Sequence, residues 1–171
     1  MPLDDDACDP EEIAYHEAGH ATAAVLCVAG WTEAKVDVDA GPGSEFFDGM
    51  DNGWTAYVAE HYGDTTAENR AFIAWAGSWA EARYLDPDDP WRVLPDVQQT
   101  GGSSDMVRVY DYWRDAPHDP HDTEEHWAQE LDSAWSHVEA LARQLARQHP
   151  VRSRLHPEEL YEDEGWAPPS P

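Results

Sequence analysis

The stretch DPEEIAYHEAGHATAAVLCVAG, residues 9–30, decides how the rest of the chain is read. Asp9 suits a helix N-cap, Pro10 suits the first helical position, and Glu12 completes a capping box. The alanines that follow favour helix, the apolar second half marks a core element, and Gly30 is a natural stop. Residues four apart on a helix share a face, so His16 and His20 turn two imidazoles toward one point. Two imidazoles supply half of a tetrahedral zinc site. Glu17 stands one position past the first of them, beside that face rather than in it. From there a carboxylate can take a proton from a zinc-activated water without becoming a ligand. The HExxH pattern therefore points to hydrolysis at a metal.

The residues around the motif are small: Ala18, Gly19, Ala21, Ala23 and Ala24. Glycine weakens a helix interior relative to alanine, so Gly19 implies that something packs closely there. A catalytic zinc needs a third protein ligand, and nine histidines and 36 acidic residues are available. Spacing alone does not choose among them. Cys27 lies seven residues past His20, roughly 10 Å along the helix, too far to join the same ion. The stretch HDPHDTEEH, residues 118–126, reads as a polar helix start rather than a second metal site.

Outward from the motif, Ala34–Ala40 and Trp54–Glu60 alternate with period two and read as strands that pair across a glycine-rich loop. Asp64 or Thr65 caps a second helix, AENRAFIAWAGSWAEARYL, with Phe72, Trp75, Trp79 and Ala82 on one face. Residues 86–101 read as irregular loop. Ser103 or Ser104 opens a third helix, with Val107, Tyr110 and Trp113 or Arg114 one turn apart. A long fourth helix spans Thr123 to His149, with Trp127, Leu131, Trp135, Val138, Leu141 and Leu145 at core spacing, and Pro150 stops it. A last short helix is expected from Leu155 or His156. The organisation is an acidic arm over 1–9, one domain over 10–160 and a tail over 161–171.

The chain holds 171 residues with 10 basic and 36 acidic side chains, a net charge of -26. Phosphate recognition needs clustered Lys and Arg, so nucleic acid is excluded as a direct partner, as is an anionic membrane surface. No apolar run is long enough to span a bilayer, so membrane insertion is not expected. Lys35 is the sole lysine, and this acidic balance fits a host rich in salt. The two cysteines make no disulfide framework, and the N-terminus MPLDDDACDP lacks the pattern of a signal peptide. The expected compartment is the cytoplasm.

AYHEAGHA at 14–21 resembles the zinc motif of the FtsH family, the ATP-dependent AAA+ zinc proteases. The likeness continues in order. AKVDVD at 34–39 and GWTAYV at 53–58 resemble that family's strands. AWAGSWAEARYL at 74–85 is similar to its helix with a GGRxAEE-like core, and TGGSSDMVRVYDYWR at 100–114 to its TGASNDLxxAT segment. The resemblance implies Asp105 as the third zinc ligand and Glu81 as an acid orienting a histidine ligand. It also implies a fold that is mainly α with a small two- or three-stranded β-sheet, a helical zincin of the FtsH peptidase-domain type. The substrate would be a polypeptide bound as an added strand beside that sheet.

Ser78, Trp79 and Ser104 depart from the family's usual residues, and the 171 residues contain no Walker-type GxxxxGK[ST] pattern. The expectation is thus a stand-alone, ATP-independent zinc endopeptidase acting on flexible or unfolded chains, with self-association or a separate partner protein left open. Two alternatives stand beside it. One is an HExxH regulatory peptidase of the repressor-cleaving type, with a different third ligand. The other is a catalytically silent zinc-binding interaction domain.

Overall fold

The computed structural model describes residues 9–27, 31–37, 55–60, 66–100, 103–147 and 153–155, with side chains for 9–27, 66–100 and 104–147. Helix α1 (Pro10–Leu26) starts as its sequence dictates: Asp9 is the N-cap, its carboxylate accepting the Glu11 N–H at 3.0 Å, with proline in the first turn. It ends at Leu26 rather than running on toward Gly30. Cys27 is the C-cap, and its N–H donates to the Ala23 carbonyl.

Helix α2 (Ala67–Leu85) is capped by Thr66, whose hydroxyl accepts the Asn69 N–H at 3.1 Å, not by Asp64 or Thr65. Every residue from Ala71 to Ala80 is buried, so α2 is sheathed on all sides rather than along one stripe. It packs on α1, and the remaining helices cover this pair. Gly19 is where the two approach most closely. A Cβ there would lie 2.4 Å from the Ala76 carbonyl oxygen and 2.7 Å from the Ala80 Cβ.

Helix α3 (Pro90–Thr100) occupies residues expected to be loop. Pro90 fits a first turn, but Pro95 in the interior removes a hydrogen bond and argues against helix locally. Burial overrides that cost: Leu94 and Val97 are both almost fully covered against the core. The Asp86 carboxylate accepts the Asp89 N–H at 3.1 Å and pairs with Arg92, fixing the turn into the helix.

Helix α4 (Ser103–Asp115) starts as expected but is rotated. Val107 and Tyr110 are 58% and 59% exposed, while Met106 and Val109 face inward. The expected single long helix is two, α5 (Pro120–Ser133) and α6 (Trp135–Arg147), joined through Ala134. No glycine or proline marks this break. The Ser133 hydroxyl donates to the Glu130 carbonyl at 2.6 Å, a local bond that competes with the helical ladder. Five of the six expected core positions hold nonetheless: Trp127, Leu131, Val138, Leu141 and Leu145 are buried, and Trp135 is half-buried against the core. Asp119 caps α5 by accepting the His121 N–H at 2.8 Å.

Aromatic side chains tie the layers together. Trp75 stacks on Trp79 with centroids 5.2 Å apart, and Trp79 meets Trp91 at 4.6 Å. Their indole N–H groups donate to Glu124 and Asp132 of α5, at 2.9 and 3.3 Å. On the other side Tyr15 stacks between Tyr84 and Trp135, binding α1, α2 and α6.

The expected fold class is corrected here. Where side chains are described, all regular structure is helical, in six helices. Backbone pairing alone joins β1 (Trp31–Asp37), β2 (Thr55–Glu60) and β3 (Ser153–Leu155), antiparallel and in the order β2-β1-β3, with Lys35 opposite Tyr57 and Arg154. The helical body is therefore all-α, and the small sheet is removed from its fold class. β3 ends at Leu155, and the last helix expected from Leu155 or His156 otherwise lies outside the described residues. The arm over 1–8 and the tail over 161–171 lie outside the described residues. Among those residues, no helix is long and apolar enough to cross a membrane.

Candidate metal centre

His16 and His20 project from α1 on one face, both buried, with their rings edge to face and centroids 4.8 Å apart. Each ring is fixed through Nδ1. His16 Nδ1 lies 2.8 Å from Glu81 Oε2, and His20 Nδ1 lies 2.7 Å from the Ile73 carbonyl oxygen. A carbonyl oxygen only accepts, and so does an ionised carboxylate. Both Nδ1 atoms therefore carry the proton, leaving the two Nε2 lone pairs available in the neutral rings. α2 supplies both supports, one from a side chain and one from its backbone.

Asp105, in the first turn of α4, completes the cluster. Its Oδ2 lies 3.3 Å from His16 Nε2 and 3.3 Å from His20 Nε2. A tetrahedral ion with bonds of about 2.0–2.1 Å holds its ligand atoms roughly 3.3 Å apart. The two measured separations thus match the edges of a zinc-sized tetrahedron. His16, His20 and Asp105 are a group that could hold a metal ion, with ligand atoms within 4.8 Å of one another. The donor set of two nitrogens and one oxygen also fits that chemistry.

The electrostatics of the cluster favour positive charge. Burial pushes the His16 pKa down, but hydrogen bonds to Asp105 and Glu81 and the charge of Glu17 outweigh it, raising it to about 10. His20 is likewise pushed down by burial and raised on balance, chiefly by the Asp105 charge. Burial pushes Asp105 up, yet the two imidazoles hold it well below the usual carboxylate range. Glu17 is 5% exposed, and its charge bears on both imidazoles. Asp105 keeps 21% of its side chain exposed, so the cluster meets solvent on the α4 side.

All five residues singled out in the sequence thus fall in one place: His16, Glu17 and His20 on α1, Glu81 on α2 and Asp105 on α4. Two contributors were missed. The Ile73 carbonyl carries no side-chain signal at all. Gly77, which faces both imidazoles, carried the same signal as Gly19, a glycine inside an otherwise well-formed helix. Cys27 lies apart at the far end of α1, its thiol pushed up to about 12, mainly by burial.

No family model matches the chain, and neither does any curated protein or solved structure.

Proposed function

We propose that the protein is a zinc-dependent endopeptidase that hydrolyses flexible or unfolded polypeptides, with His16, His20 and Asp105 as zinc ligands and Glu17 as general base. The observation that carries this reading is the convergence of three ligand atoms, two of them 3.3 Å from the third, beside a buried carboxylate. When bound, zinc would polarise the scissile carbonyl and lower the pKa of a water to about 7.

The chain's own residues do the rest. Glu17 accepts the proton that leaves the attacking water as its oxygen bonds to the carbonyl carbon. It returns that proton to the amine nitrogen as the carbon–nitrogen bond breaks, so each turnover ends with Glu17 ionised again. Glu81 and the Ile73 carbonyl hold the imidazoles in the tautomer that keeps both Nε2 lone pairs on the ion. The resemblance of residues 14–21, 74–85 and 100–114 to the FtsH family supports peptide bonds as the target.

Casein cleavage by the zinc-loaded protein tests the reading. Glu17→Gln should keep one zinc per chain and lose activity by at least about 100-fold, the usual weight of general-base catalysis. Zinc-loaded wild type that cuts no unfolded protein or peptide would refute it.

A further inference from the structure

Beside the two imidazoles α2 presents a glycine. A Cβ on Gly77 would lie 2.4 Å from His20 Nε2, 2.5 Å from His20 Cε1 and 2.8 Å from His16 Nε2. These nitrogens are the two ligand atoms. A methyl group at 77 would therefore overlap both imidazoles, and the rings could not keep the positions that bring their Nε2 atoms to Asp105.

The alternative is that Gly77 serves helix packing, and Gly19 shows what that looks like. Around Gly19 the nearest atoms are backbone and a methyl group of the facing helix. Around Gly77 the three nearest are all imidazole atoms. Its neighbours Ala74, Ala76 and Ala80 are buried and keep their methyl groups, so α2 is not generally too crowded for alanine. Glycine inside a helix costs about 1 kcal/mol relative to alanine, a cost with no return from α2 itself.

We infer that Gly77 is a positioning residue of the metal centre: its bare backbone leaves the room in which both imidazoles hold their Nε2 atoms together with Asp105. The inference rests on the metal reading of the His16–His20–Asp105 cluster.

The test uses the full chain and three measurements: zinc affinity by chelator competition, the visible spectrum of the cobalt form, and thermal unfolding in EDTA. Gly77→Ala should weaken zinc binding by about 100-fold or more and abolish the tetrahedral cobalt bands, because metal sites tolerate only about 0.5 Å of displacement. Its metal-free melting temperature should stay near wild type, since free imidazoles can pivot aside. Gly19→Ala, by contrast, should lower the metal-free melting temperature. Wild-type zinc affinity and an unchanged cobalt spectrum in Gly77→Ala overturn the inference. If Gly77→Ala does not fold, it is combined with His16→Ala and His20→Ala. Recovery of the helical fold then upholds the inference, and failure to recover overturns it. A wild-type chain that binds no zinc would remove the metal reading instead, a result distinct from all of these.

Discussion

At the scale of single residues the site is asymmetric in a way that can be measured. His16 is held by a side chain that can be deleted, whereas His20 is held by the Ile73 backbone, which no substitution removes. Losing the partner of a ligating histidine commonly costs 10–100-fold in metal affinity. Glu81→Ala should therefore weaken zinc binding by about that factor while one zinc per chain still binds at saturation. Asp105→Ala should abolish stoichiometric binding, because it removes a ligand rather than a support. Chelator competition separates the two. Equal losses would mean that Glu81 ligates, and no loss in Glu81→Ala would return it to an ordinary helix acid. His16, Glu17 and His20 were legible from spacing because helical geometry alone puts them together. Asp105 and Glu81 lie 89 and 65 residues from His16, and no local rule reaches that far. Only the resemblance pointed to them.

At the scale of elements, the parts of the sequence that follow from local chemistry were readable. The α1 start has a proline and a capping aspartate, and the buried face of α5 and α6 follows a spacing of three and four. What failed had tertiary causes. α3 forms despite Pro95 because Leu94 and Val97 gain burial on the core. α4 turns Met106 and Val109 inward, not Val107 and Tyr110, since its rotation must also bring Asp105 to the histidines. The α1–α2 crossing is the contact on which the site depends, because α1 carries three site residues and α2 supports two rings. Gly19→Ala forces a methyl group into a space bounded by the Ala76 carbonyl oxygen and the Ala80 methyl. Overpacking of this kind costs about 1–3 kcal/mol. Urea unfolding in EDTA should show a loss in that range, and a change under about 0.5 kcal/mol would mean that the helices can slide apart at no cost.

Charge acts on the whole molecule. A net charge of -26 on 171 residues makes self-repulsion a general destabilising force on the compact state. Few cations offset it: among the described ion pairs, Arg83 meets Asp132, Arg92 meets Asp86, and Arg114 meets Asp111. Salt shortens the reach of that repulsion, from about 30 Å at 0.01 M to about 3 Å at 1 M. The metal-free protein should thus gain stability between 0.02 M and 1 M sodium chloride. A gain of about 2 kcal/mol would raise its melting temperature by about 4–8 °C at this chain length. Screening and salting-out separate by ion. Screening responds to ionic strength and levels off once the Debye length falls below the spacing of charges. Exclusion of sulfate from the surface continues to strengthen burial as concentration rises. Chloride and sulfate compared at equal ionic strength should give the same rise below about 0.5 M and diverge above it. Equal melting temperatures at low and molar chloride would show that the acidic surface is already relaxed in dilute solution, and the reading of that surface as adapted to high salt would fall with it.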